Sequence, residues 1–156
     1  IVADDNSPDG TAEKVKELEK KYPVKVIIRT KNKGLAPAVI DGFKAAQGDI
    51  LAVIDADLSH PPELLRDMFQ KTQETYDVVI ASRLIEGGGT ENWPRSRKIT
   101  SYLATLLARP ITKVKDPMSG YFMIKRKIME RKNIEAKGYK ILLEILAKGN
   151  YQKVKE

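Results

Sequence analysis

The chain has 156 residues, 42% of them hydrophobic and 31% charged, carries a net charge of +7 and contains no cysteine. That balance suits one globular domain of ordinary size and excludes disulfides and thiolate chemistry. The lone histidine, His60, argues against a protein-only zinc site and a His-based triad, and no apolar run approaches the roughly 18–20 residues that cross a bilayer.

Taken in order, Ile1-Val2-Ala3 reads as the end of a strand, so an upstream part of the domain is expected before it. Asp4-Asp5-Asn6-Ser7-Pro8-Asp9-Gly10 is rich in turn formers, and Thr11 or Asp9 can cap a helix over 12–21 whose Val15 and Leu18 face inward. A strand over 24–29 and the loop Lys31-Asn32-Lys33-Gly34 follow. The helix expected over 35–46 has an apolar side of Leu35, Val39 and Phe43, with Pro37 in its first turn. Ile50 to Ile54 is an unbroken apolar run, the pattern of a central parallel strand covered on both faces. A helix over 62–73 and a strand over 78–81 complete a βαβαβαβ succession, which predicts an α/β fold with a mostly parallel, doubly wound sheet.

Beyond Arg83 the texture changes. Residues 85–93 contain Gly87-Gly88-Gly89 and read as a flexible loop. A helix over 94–108 carries Ile99, Leu103, Leu106 and Leu107 on one side, read as a core-facing stripe, with membrane contact as the alternative. Asp116-Pro117-Met118-Ser119-Gly120 is a tight connection into a strand over 121–124, with Asp116 shaping the turn. A helix over 141–148 and the start of a last strand at 151–155 close the chain.

The polar strand ends hold the chemistry. Asp4-Asp5, then Asp55 and Asp57, then Ser82-Arg83 are expected on one rim, where open α/β sheets bind ligands. If the chain stays extended past Ile54, alternation points Asp55 and Asp57 the same way. Two such carboxylates suit a hard divalent ion, Mg²⁺ or Mn²⁺, beside substrate phosphates. The residues alone equally allow a turn in which Asp57 caps the next helix. Charge is uneven: residues 1–82 hold 11 basic and 14 acidic side chains, residues 83–156 hold 17 and 7. A basic second half suits an anionic partner or a solvated lysine-rich face. With only 6% aromatic residues and no recognition motif, nucleic acid is not the expected partner.

Four stretches together resemble family 2 of the inverting glycosyltransferases, whose nucleotide-binding fold is called GT-A. They are residues 2–11, Val-Ala-Asp-Asp-Asn-Ser-Pro-Asp-Gly-Thr; Asn32 and Gly34 with Ala38 and Gly42; Gly48-Asp49 through Asp55-Ala56-Asp57; and Arg83 with Glu91-Asn92-Trp93-Pro94 and residues 116–122. The last group resembles the branch that makes dolichol-phosphate mannose. The family's first strand, with its nucleotide-binding loop, is absent, as is the end of the domain after Glu156, and Ser59 stands where mannosyl relatives often have Gln.

The resemblance implies one catalytic domain over 1–156, with a nucleotide- and metal-binding part (1–82) and an acceptor-binding part (83–156). It implies transfer of a sugar, mannose from GDP-mannose first, to a polyprenyl (dolichyl) phosphate with inversion. A UDP-glucose donor is the alternative. Donor contacts fall on Asp5, Gly34, Asp55, Ala56 and Asp57; the Mg²⁺ or Mn²⁺ falls on Asp55 and Asp57. The acceptor phosphate falls on Arg83, Arg97 and Ser101, and the catalytic roles on Asp57 and Arg83. Asp5 can otherwise cap a helix, and Arg83, Arg97 and Ser101 can otherwise be plain surface and helix residues. Trp93 is expected at a membrane interface, closing over the site, or buried beneath the glycine-rich loop. The implied location is the cytoplasmic side of a membrane, touched peripherally. From another class, the order Asp4-Asp5, Asp55, Ser82 also mimics a phosphorylatable receiver domain.

Overall fold

The computed structural model describes residues 1–89, 94–130, 134 and 140–156, with Arg97 described by its backbone alone. The expectations for Glu91, Asn92 and Trp93 lie outside the described residues. The chain forms two compact units, Ile1–Gly48 with Glu135–Ile141, and Asp49–Ile134 with Leu142–Glu156. Asp55, Asp57 and Arg83 share the second unit.

In the first unit, β1 (Val2–Asp4) pairs in parallel with β2 (Val26–Ile28), in the register Val2 to Val26 and Asp4 to Ile28. Helix α1 (Thr11–Glu19) connects them, and α2 (Leu35–Ala45) follows β2. Asp9 starts α1: its carboxylate accepts the Thr11 N–H at 3.0 Å and the Thr11 hydroxyl at 2.6 Å. Ala12 and Val15 are the buried residues of α1, whereas Leu18, expected inside, is exposed. On α2 the buried positions are Ala36 and Phe43, and Leu35 is exposed.

In the second unit, β3 (Ile50–Val53), α3 (Leu64–Glu74) and β4 (Val78–Ile80) appear where the apolar runs place them. Then come α4 (Arg95–Ala108), β5 (Phe122–Lys125), α5 (Lys127–Glu130), α6 (Ile141–Lys148) and β6 (Val154–Lys155). The strand order is β3-β5-β4-β6. Strand β5 runs antiparallel to both β3 and β4, and β6 runs parallel to β4. The all-apolar β4, 0–4% exposed, and β5 form the core together with Met68, Tyr121, Ile128 and Ile145. Burying each such side chain contributes roughly 1.5–3 kcal/mol. Strand β3 corrects an expectation. It is the end strand of this four-stranded sheet, pairs antiparallel with β5, and leaves Ala52 and Ile54 exposed.

Helix α4 corrects a second expectation. Ile99, Leu103, Leu106 and Leu107 are exposed rather than core, Leu107 by 79%. The inward side is Ser101, Ala104, Thr105 and Ala108, spaced i, i+3, i+4 and i+7, with Thr105 and Ala108 buried. The 3.6-residue period marks two sides of a helix but does not say which one the protein covers.

Candidate functional site

Register fixes where the site lies in the second unit. Phe122, the first residue of β5, pairs with Val53 on one side and Ile80 on the other. The carboxyl ends of β3 and β4 therefore emerge at the same end of the sheet, and residues 116–121 lead into β5 between them. Asp55 follows β3 and Ser82-Arg83 follows β4, so two of the three polar strand ends converge as expected. The third, Asp4-Asp5, belongs to the other unit.

Asp55 is seated from several directions. Its backbone N–H donates to His60 Nδ1 at 3.1 Å, which places the imidazole proton of a neutral His60 on Nε2, 3.9 Å from Asp55 Oδ2. The imidazole stacks on Tyr121 with ring centroids 5.0 Å apart and planes at 19°. The Tyr121 hydroxyl donates to the Pro61 carbonyl at 2.9 Å, closing the loop on itself. Gly120 lies against the carboxylate: a Cβ there would stand 3.1 Å from Asp55 Oδ2.

Asp57 and Ala56 are exposed. Strand β3 ends at Val53, and residues 56 and 57 lie in a turn. Strand alternation therefore does not set the direction of the two carboxylates. Leu58, 93% exposed, takes a left-handed φ of 62°, unusual for a branched residue and a mark of a constrained turn. Asp57 Oδ1 accepts the Ser59 N–H at 2.9 Å. The Ser59 hydroxyl and N–H together hold the Asp57 carboxyl below the ordinary carboxylate range. Asp57 does not cap α3, whose N-terminus has no side-chain cap. Among the described residues, neither Asp55 nor Asp57 is ion-paired with Lys or Arg, and no group of three or more His, Cys, Asp or Glu gathers to hold a metal alone. Two hard oxygen donors in one turn fit an Mg²⁺- or Mn²⁺-sized ion whose remaining positions go to water and substrate phosphate.

Arg83 is clamped. Its Nε donates to Asp116 Oδ2 and its Nη2 to Asp116 Oδ1, each at 2.7 Å, and its backbone N–H donates to Oδ2 at 3.0 Å. The Asp116 side chain is 1% exposed and that of Arg83 is 23% exposed. Gly88 folds over the same stretch: a Cβ there would come within 2.5 Å of the Ser82 carbonyl oxygen, so only glycine fits without backbone movement. Ser101 sits half-buried on the inward side of α4. The expectation for the Arg97 side chain lies outside what is described.

In the first unit, Asp5 and Gly34 meet directly. The Gly34 N–H donates to Asp5 Oδ2 at 2.6 Å. The other Asp5 oxygen pairs with Nη1 of Arg29, whose side chain is 3% exposed. Arg29 also donates from Nε to Asp41 at 2.7 Å and from Nη2 to the Asn32 carbonyl at 2.6 Å. Burial works against the Arg29 charge, but Asp41 and Asp5 outweigh it and raise its pKa. Asp5 does not cap α1. The neighbouring Asp4 accepts the Ser7 hydroxyl at 2.6 Å and the Ser7 N–H at 3.0 Å, and both contacts lower its pKa.

Arg29, His60 and Gly120 were not singled out by the sequence, and Asp116 was read only as a turn former. Arg29 stands at the carboxyl end of its strand, the one signal available for it. His60 closely follows the quoted acidic motif, and Gly120 lies inside the quoted 116–122 stretch without a role assigned to it.

Sheet, turn and clamp together define a GT-A type of α/β fold. The family profile described as glycosyl transferase family 2 matches residues 1–132, and the chain belongs to that family. Over 160 residues the chain is 49% identical to the dolichol-phosphate mannosyltransferase of Pyrococcus furiosus, covering 100% of this chain and 46% of that protein. It is 41% identical over 153 residues to the Saccharomyces cerevisiae protein of the same name, covering 95% of this chain and 57% of the relative. The chain thus spans about half the length of these curated relatives. Among solved structures, glucosyl-3-phosphoglycerate synthase from Mycobacterium tuberculosis in complex with phosphoglyceric acid aligns with a TM-score of 0.62 at 23% identity, over 94% of this chain and 56% of that one. Mannosyl-3-phosphoglycerate synthase from Rubrobacter xylanophilus gives 0.60 at 20%, over 81% and 42%. The same M. tuberculosis enzyme with Mn²⁺ and UDP-glucose gives 0.58 at 22%, over 82% and 45%. These likenesses establish a shared fold. With the family established, the receiver-like order of Asp4-Asp5, Asp55 and Ser82 is a coincidence of α/β rims.

Proposed function

We propose that residues 1–156 form one catalytic domain of an enzyme that transfers mannose from GDP-mannose to a polyprenyl phosphate, dolichyl phosphate first, with inversion. The observation that carries this reading is the placement of the Asp55-Ala56-Asp57 turn and the clamped Arg83 at one end of one sheet. The first pairs two carboxylates that no Lys or Arg among the described residues neutralises; the second offers a fixed guanidinium. A leaving diphosphate and an acceptor phosphate need these two kinds of group.

In this reading Asp55 and Asp57 hold Mg²⁺ or Mn²⁺, and Asp5, Gly34 and Ala56 contact the donor nucleotide. The ion, when bound, stabilises the charge that develops on the departing diphosphate. Arg83, Arg97 and Ser101 bind the acceptor phosphate and aim one of its oxygens at the anomeric carbon. A phosphomonoester has a second pKa of about 6, so it attacks as the anion and needs no protein base.

The exposed apolar side of α4, with Arg95 and Lys98 at its start, supports peripheral contact with an anionic membrane surface on its cytoplasmic side. Among the described residues no helix is long and apolar enough to cross a membrane. The test is calorimetric titration with GDP, UDP, GDP-mannose and UDP-glucose, each with and without Mn²⁺. Mn²⁺-dependent binding of the guanosine ligands supports the reading. Preference for UDP-glucose moves it to a glucosyl donor, and failure of every nucleotide to bind overturns it.

A further inference from the structure

We propose that Asp116 is the positioning residue of the acceptor site, holding the Arg83 guanidinium in the one orientation that meets a phosphate. This inference rests on the proposed role of Arg83.

The Asp116 carboxylate is buried, and Arg83 supplies three hydrogen bonds to it, two from the guanidinium and one from the backbone. A paired buried charge adds little net stability, because desolvation of both partners offsets their attraction. What it does fix is geometry. The two parallel bonds engage the Nε–Nη2 edge and set the plane of the fork, so the Nη1 side is the one turned away from Asp116. With 23% of its side chain exposed, Arg83 remains accessible to an incoming ligand.

Asp116 is itself held. The Glu156 carboxylate accepts the Lys115 N–H at 2.8 Å and the Asp116 N–H at 2.9 Å. Three residues on, the Ser119 hydroxyl donates to the Ala81 carbonyl at 3.0 Å, tying the same loop to the end of β4. The Arg83 backbone is pinned by its own N–H bond to Asp116 and by the close approach of Gly88. Orientation thus passes from Glu156 through the 115–116 backbone and the Asp116 carboxylate to the guanidinium. A lysine at position 83 could pair with Asp116 but could not receive this orientation.

A double-mutant cycle tests the assignment. Asp116→Asn, Arg83→Lys and the double variant are titrated with farnesyl phosphate, a soluble polyprenyl phosphate, and separately with GDP-mannose and Mn²⁺. Thermal unfolding midpoints are recorded for each. The expected result is a loss of about 10-fold or more in farnesyl phosphate affinity for Asp116→Asn, since a misaimed group costs about that or more. Nucleotide affinity stays within about twofold, and Asp116→Asn adds nothing once Arg83 is Lys. If Asp116→Asn does not fold, Glu156→Gln is read by the same pattern with a smaller loss. An equal loss in the Arg83→Lys background, or equal loss of nucleotide binding, overturns the positioning role alone. Unchanged farnesyl phosphate binding by Arg83→Lys, or none by the unaltered protein, overturns the acceptor reading of Arg83 and this inference with it.

Discussion

Two arginines in different parts of the molecule are gripped by carboxylates, to different ends. Arg29 is 3% exposed in its side chain and serves Asp5, Asp41 and the Asn32 carbonyl at once. Its guanidinium is spent on folding the loop from Asn32 to Gly34 against Asp5. Asp116 grips Arg83 along its Nε–Nη2 edge, and 23% of the Arg83 side chain stays exposed. The contrast teaches that an ion pair alone does not mark a guanidinium as structural: the share left to solvent separates a buried hub from one that a ligand can reach. The acids differ too: each Asp5 oxygen has a protein partner, whereas among the described residues Asp57 is held by Ser59.

The largest expected effect comes from removing an acid that is not spent. Asp57→Ala abolishes metal-dependent nucleotide binding, a drop of about 100-fold or more, and leaves the unfolding midpoint unchanged because Asp57 is exposed. Titration with and without Mn²⁺ checks it; equal affinities in both arms refute the metal assignment.

Next, the two arginines should part company on lysine substitution. Arg29→Lys loses several charge-assisted hydrogen bonds in a buried site and costs about 3 kcal/mol of stability. Arg83→Lys keeps one charge beside Asp116 and costs about 1 kcal/mol. Urea unfolding of both reads the difference; equal costs would erase the distinction between them.

Asp77 sharpens the comparison as an acid wholly spent on structure. Burial pushes its pKa up, but the Gln152 and Lys153 N–H groups and the Lys127 ammonium prevail and hold it at about 2. The folded value lies below the unfolded one, so the stabilisation is complete above about pH 4 and is lost as pH falls toward 2. It amounts to about 2 kcal/mol. Asp77→Asn should lower stability at pH 7 by about that much and remove this part of the acid dependence.

The smallest effect is expected at Gly120. Gly120→Ala places a methyl 3.1 Å from Asp55 Oδ2, and the carboxylate must shift by a few tenths of an ångström. Mn²⁺-dependent nucleotide affinity should fall about 3- to 10-fold, with stability within about 1 kcal/mol. Calorimetry and thermal unfolding together decide it.

Much of the fold was legible because β-strand and helix periods are local. The runs at Val78–Ile80 and Phe122–Lys125 are strands, and the acidic turn after β3 is where the pattern put it. The direction of β5 was not legible, since an apolar run reads the same both ways. Nor was the inward side of α4, where Thr105 and Ala108 win over leucines by permitting close approach. Asp55, Asp57 and Arg83 were singled out from strand ends and the family likeness. The buried pairing of Arg29 and the Arg83–Asp116 clamp were not, because a buried ion pair is a long-range match between residues with no shared local signal. Arg83 and Asp116 are 33 positions apart.

Placing β5 between β3 and β4 also governs how the chain must be assembled as it is made. No hydrogen-bonded ladder joins β3 to β4 directly; the order β3-β5-β4 makes the later strand their common partner. At roughly 5–20 residues per second, a ribosome that has finished β3 needs several seconds to deliver the strand that completes the sheet. During that interval two apolar strands have open edges, and the Asp55–Asp57 turn has no platform beneath it. The Asp55–Asp57 turn therefore takes its final setting only after β5 has joined β3.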